Sequence, residues 1–215
     1  ISSHHRANTE LVAQGVGNIA SVLFGDVNPS GKLPFTFPAE LEHVGAHREG
    51  QYPGIARNDG SGVTDQRYDE GLFVGYRYAD KNRLAPLFPF GHGLSYTTFR
   101  YGKPAADRTT MTADETLRVT VPVTNTGTRE GAEIVQLYIR DVKSSLPRPV
   151  KELKAFRKVT LQPGETQEVV FDIDREALCF FDDARHEWVA EPGRFEALVA
   201  ASAADIRGKV VFELK

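Results

Sequence analysis

Cysteine is almost absent. Cys179 is the one cysteine in 215 residues, so no internal disulfide forms and the fold rests on a hydrophobic core, whichever compartment it occupies. Long apolar runs are missing too: the longest nearly apolar stretch, Ala197 to Ala204, falls far short of the roughly 20 residues that cross a bilayer. No membrane span is expected. Basic excess is also lacking, since the net charge is -3 and no basic run exceeds a few residues, which argues against nucleic acid as a partner. Residue 1 is isoleucine and the only methionine is Met111. The expectation is a processed product or a fragment, and the missing signal peptide says nothing about export. No internal repeat or low-complexity segment is present.

What remains is ordinary for a globular protein, with 40% hydrophobic and 26% charged residues and enough length for one large or two small domains. Two periodicities divide it. From Asn8 to Phe24 the apolar positions Val12, Val16, Ile19 and Leu23 recur at four, three and four, the stripe of one amphipathic helix, with Asn8 or Thr9 able to cap its start and Gly25 to end it. Leu33 to Phe37 reads as a short strand stopped by Pro38, and Ala39 to Gln66 as a long loop with turns such as Asn58-Asp59-Gly60-Ser61-Gly62. One helix, one or two strands and a loop enclose no core by themselves.

After Phe99 the period is two. Leu117, Val119, Val121 and Val123 alternate with polar or proline positions, and so do Val135, Leu137 and Ile139; further strands are expected at Thr166 to Ile173, Arg194 to Ala201 and Lys209 to Leu214. Pro122 predicts an edge strand or a bulge. Turn signals stand between the strands at Asn125-Thr126-Gly127, Gln162 to Glu165, Phe181 to Ala184 and Glu191 to Arg194. About seven short strands over roughly 115 residues predict an immunoglobulin-like sandwich.

Three motifs are dense in extreme residues. Pro86-Leu-Phe-Pro-Phe-Gly-His-Gly-Leu-Ser-Tyr-Thr-Thr-Phe99 holds two prolines that fix φ, two glycines that permit positive φ and four aromatics that need burial. With Asp26-Val-Asn-Pro-Ser-Gly-Lys-Leu-Pro34 and Tyr68-Asp-Glu-Gly-Leu-Phe-Val-Gly-Tyr-Arg-Tyr78, in that order, it resembles the C-terminal part of a glycoside hydrolase family 3 β-glucosidase. Val123 to Gly127, Gln136 to Tyr138, Pro149 to Phe156, Leu161 to Thr166 and Asp205 to Arg207 are similar to the fibronectin type III-like domain that follows that family's catalytic domains. Nearly the whole chain is covered; it departs at Asn8 to Gln14, where the family usually has a Pro-Gly-Gln-Glu type of turn.

The resemblance implies a mainly β chain: an immunoglobulin or fibronectin type III-like β-sandwich over residues 98–215, preceded over residues 1–97 by the C-terminal remnant of an α/β sandwich domain. In that family the nucleophilic aspartate lies on an N-terminal barrel and the acid/base glutamate in the following α/β domain, so both fall upstream of Ile1. It therefore implies no catalytic, cofactor-binding or metal residue in this chain. The implied partners are the barrel and the α/β domain, in the same or a separate polypeptide, and a β-glucoside substrate only in the complete enzyme. The alternatives are a related family 3 enzyme such as a β-xylosidase, or a non-catalytic glycan- or protein-binding module.

Several local side chains are candidates for chemistry. Retaining glycoside hydrolysis needs two carboxyl groups about 5–5.5 Å apart. Asp69-Glu70 offers either an acid facing a cleft or an ion pair with Arg67 or Arg77 that pins the segment to a neighbouring domain. His43 and His47, near Glu40 and Glu42, have metal-ligand spacing, but Gly45 interrupts them and solvated loop histidines are expected. His92 could meet a sugar hydroxyl or the backbone of its own turn, and His4-His5 and His186 carry no constellation. Gly91-His92-Gly93 lacks the third glycine of a dinucleotide fingerprint, and Gly93-Leu94-Ser95-Tyr96-Thr97 lacks the closing glycine of a nucleophile elbow. Asn28 to Lys32 has no phosphate cradle and reads as a turn into a strand. Trp188, Tyr138, Phe180 and Phe181 could stack on sugars, although their apolar neighbours place most of them in the core.

Overall fold

The computed structural model describes residues 19–215. The expected helix start at Asn8 or Thr9, its apolar positions Val12 and Val16, the Asn8 to Gln14 departure and His4-His5 lie outside the described residues. Residues 19–23 are helical, and Gly25 at φ +83° follows them, in the left-handed conformation that closes a helix.

The expected strand at Leu33 to Phe37 does not form. Phe37 makes an isolated bridge with Phe88, and Leu33 exchanges backbone bonds with the loop at Gly91 and His92. Pro34 has no N–H to extend a ladder. A 3-10 turn occupies Leu41–His43, and the long loop holds one small hairpin, β1 (Ile55–Ala56) with β2 (Thr64–Asp65). Its turn is built as the glycines require: Gly60 and Gly62 have positive φ, and Asp59 Oδ1 accepts from Ser61 N at 2.9 Å. A helix not anticipated in the Tyr68 to Tyr78 run, α1 (Tyr76–Asn82), buries Tyr78 and Ala79 and stops at Arg83 in the αL region.

From Phe99 onward the chain is a two-layer sandwich. One layer has β6 (Leu117–Asn125) flanked by β3 (Phe99–Tyr101) and β4 (Ala105–Ala106) on one side and by β9 (Thr166–Ile173) on the other. The second runs β5 (Thr110–Met111), β13 (Asp205–Leu214), β12 (Gly193–Ser202), β7 (Gly131–Asp141), β8 (Glu152–Leu161). Between them Leu117, Val119, Val121, Val123, Phe171, Leu137 and Ile139 leave water almost completely, and Phe195 stacks on Phe212 at 5.8 Å. The alternation in sequence is thus the alternation of the pleat. A short helix, α2 (Arg175–Leu178), and the hairpin of β10 (Phe180–Asp182) and β11 (Glu187–Val189) close one end.

Two expectations within the sandwich also need correction. The strand holding Pro122 is central, and its register with β9 runs unshifted from Leu117↔Ile173 to Thr124↔Thr166. Pro122 O accepts from Gly102 N at 2.7 Å, and in an antiparallel strand N and O of one residue point the same way. The missing donor therefore faces the break between β3 and β4 and is not needed for the ladder to β9. The turn expected at Phe181 to Ala184 lies two residues later, at 183–186, with His186 at φ +56°.

Candidate functional site

The main core takes no residue from 19–97; its members run from Phe99 to Leu214. A second, smaller cluster lies on the outer face of the five-stranded sheet, where Tyr138, Leu198, Ala200 and Ala203 meet Tyr76 and Phe90. Strands β7 and β12 are thereby covered on both faces, which explains the apolar run at Ala197 to Ala204. Tyr76 sits edge-on to Tyr138 with centroids 5.8 Å apart and accepts at its hydroxyl from Leu153 N at 3.0 Å. Tyr138 Oη donates to Gln136 Oε1 at 2.6 Å, and Gln136 Nε2 donates to Gly91 O and Ala201 O. Gly91 has φ +77°, and a Cβ there would stand 2.4 Å from Gln136 Oε1, so only glycine fits this approach. Burial pushes the Tyr138 hydroxyl well above the usual tyrosine range.

Polar clamps surround this cluster. Lys32 Nζ meets Glu133 Oε1 at 2.8 Å, Lys151 Nζ meets Asp80 Oδ2 at 2.5 Å, and Arg77 reaches Glu152 at 3.8 Å. Burial raises the Asp80 carboxyl while Lys151 pulls it back, and burial lowers the Lys154 ammonium. Arg148, almost wholly enclosed, holds Glu152 at 2.6 Å and Asp141 at 3.2 Å, donates to Leu178 O and lies over the Phe180 ring. At the other end Asn28 joins three segments: its Nδ2 donates to Glu130 O, and its Oδ1 accepts from Ser95 Oγ and Tyr96 N. Thr97 Oγ1 donates to the buried Asn125 Oδ1 at 2.6 Å.

The candidate side chains are held locally. Asp69 pairs with Arg67 at 3.5 Å, whereas Glu70 accepts from Gln51 Nε2 at 2.6 Å and Arg77 turns to Glu152. His43 Nε2 lies 4.0 Å from Glu40 Oε2, and among the described residues no three His, Cys, Asp or Glu side chains converge as metal ligands. The His92 ring lies 5.3 Å from Phe88, and its backbone bonds Pro89 and Leu33. Of the four aromatics, Tyr138 and Phe180 are buried. Phe181 and Trp188 are exposed but cross at 66°, which offers no common plane for a sugar ring. Lys32, Glu133, Asn28 and Gln136 escaped sequence reasoning as junction residues. The available signal was polar Glu133 and Gln136 inside an otherwise apolar strand.

Beside the clamps an apolar groove of about 480 Å³ opens between residues 34–45 and α1. Two buried polar atoms in its lining, Thr36 Oγ1 and His43 Nδ1, have no hydrogen-bond partner among the described residues.

These features define a fibronectin type III-like sandwich with a core-poor α/β segment clamped to its outer face. Residues 133–203 match the fibronectin type III-like domain, and residues 12–76 match the glycosyl hydrolase family 3 C-terminal domain. Beta-glucosidase BoGH3A of Bacteroides ovatus is 53% identical over 197 residues, covering 91% of this chain and 25% of its own length. Thermostable beta-glucosidase B of Acetivibrio thermocellus is 47% identical over 192 residues, 88% of this chain and 24% of its own. The structure of beta-glucosidase 3B from Thermotoga neapolitana in complex with alpha-D-glucose superposes with a TM-score of 0.79 at 41% identity, over 91% of this chain and 26% of that one. The chain thus matches the C-terminal part of glycoside hydrolase family 3 β-glucosidases. It spans about a quarter of the length of the curated relatives it matches.

Proposed function

We propose that this chain is the non-catalytic C-terminal support of a retaining β-glucosidase that, when complete, releases terminal β-linked glucose from oligosaccharides or glucosides. Residues 1–97 complete an α/β domain whose body lies in the preceding polypeptide, and residues 98–215 are the buttress behind it. The partners are then the barrel and the rest of the α/β domain.

One observation carries this reading. Of the twenty-five large hydrophobic side chains exposed among the described residues, seventeen lie between Ile19 and Tyr96, including Phe24, Phe35, Tyr68, Leu87 and Leu94. Exposed apolar surface on this scale marks an interface. The same segment is tied to the sandwich on its other side, so the uncovered side faces something else. The test is hydrolysis of 4-nitrophenyl β-glucoside. The 215-residue chain alone is expected to be inactive, and its graft in place of the matching region of the Bacteroides ovatus enzyme to be active. Turnover by the chain alone overturns the reading.

A further inference from the structure

The wall of the groove between residues 34–45 and α1 includes apolar Pro34, Phe35, Val74, Ala79 and Phe90 beside Tyr76 and Arg77, and two of its polar atoms, Thr36 Oγ1 and His43 Nδ1, lack partners among the described residues. A buried hydroxyl and a buried ring nitrogen are costly to leave unpaired, so a native state that retains them supplies partners. The apolar surface also continues past the mouth, through half-exposed Phe35 and Val74 to Phe37, whose ring meets that of Phe35 at a 48° tilt with centroids 4.6 Å apart. That extent exceeds what a small ligand covers. The relatives extend about four times as far as this chain, which supplies an occupant of the required size.

We propose that the groove seats an apolar segment of the enzyme's preceding polypeptide, which brings one hydrogen-bonding group to Thr36 Oγ1 and another to His43 Nδ1. This rests on the supporting role proposed above and assigns it a particular contact. The occupant presents apolar side chains to Phe35, Val74 and Phe90. Its two polar groups fix its register along the groove.

The test compares the 215-residue chain with its graft into the Bacteroides ovatus enzyme. Val74 is 51% exposed, so Val74→Cys does not disturb the core. Its thiol, followed by iodoacetamide labelling and mass mapping, should react more than about tenfold more slowly in the graft than in the chain alone. Equal rates overturn the proposal. Aryl glucoside hydrolysis by the same graft reads the supporting role separately: an active graft with an unprotected thiol removes the groove contact and keeps the role, whereas a protected thiol in an inactive graft does the reverse. Thr36→Val gives an independent measurement through its sign. In the chain alone it should raise the melting temperature by relieving an orphan hydroxyl, and in the graft it should lower it by removing a bonded one. The same sign in both overturns the proposal.

Discussion

Lys32 Nζ stands 2.8 Å from Glu133 Oε1, with the two side chains only 15% and 10% exposed, and so one ion pair fastens the loop segment to strand β7. Removing one member of such a pair leaves the other charge enclosed without its counter-charge, which costs more than the pair contributes. Lys32→Met should therefore destabilise the chain by about 3 kcal/mol in urea unfolding, and adding Glu133→Gln should recover most of the loss. Equal stability of the single variant and the wild type would contradict the pairing.

Asn125 is fully buried and uses all four of its amide hydrogen-bonding capacities. Its Nδ2 donates to Arg129 O and Leu161 O, and its Oδ1 accepts from Thr97 Oγ1 and Gly127 N. Asn125→Ala should cost about 3 kcal/mol, because orphaned buried groups carry their full desolvation penalty. Asn125→Asp should be worse, since an acceptor would then face two carbonyl oxygens. Thermal unfolding measures both.

Glu196 is held below the usual glutamate range, chiefly by Lys209 at 2.8 Å, with Arg140 at 3.4 Å assisting. A carboxyl depressed in the folded state stabilises above its unfolded value, about 4.3, and loses that contribution as the pH falls through the folded value. Wild type should thus lose stability more steeply than Glu196→Gln on acidification below that point. Melting temperatures from pH 7 to pH 3 would show it; parallel curves would refute it.

Tyr101 and Tyr138 are both raised above the ordinary tyrosine value by burial, and for Tyr101 the nearby Glu133 carboxylate adds to it. A raised value means a contribution present below about pH 10 and lost above it. In an alkaline absorbance titration, Tyr101 and Tyr138 should ionise late, only together with unfolding. Tyr138→Phe should reduce the late step by half.

Residues 98–215 hold every member of the main core. Expressed alone they should fold cooperatively, with a lower melting temperature than the whole chain because Tyr76 and Phe90 no longer cover the outer sheet face. An unfolded fragment would refute a boundary at 97/98.

The sandwich was legible where one face of a strand is wet. Along β6 the burial pattern follows the letters, and so it does along β9. Strand β8 was not, because Glu152 to Phe156 are all partly shielded by the clamps or exposed, and no period of two survives. Helix α1 was hidden by its brevity: seven residues hold too little of a stripe to show a period. Leu33 to Phe37 has the composition of a strand, yet Pro34 denies it the ladder, and tertiary contacts to the loop at Phe88 to His92 take its place. The motifs themselves were visible, but their use was not. Lys32 and Asn28 read as turn residues until the fold carries Glu133 and Glu130 to them.

The break opposite Pro122 leaves the two edges of β6 unequal. Strand β3 is held to β6 by three residue pairs, Phe99↔Asn125 to Tyr101↔Val123, whereas eight pairs join β6 to β9 on its other edge. The strand that leads into the sandwich is thus fastened by a short strip, and β9 along nearly a full strand.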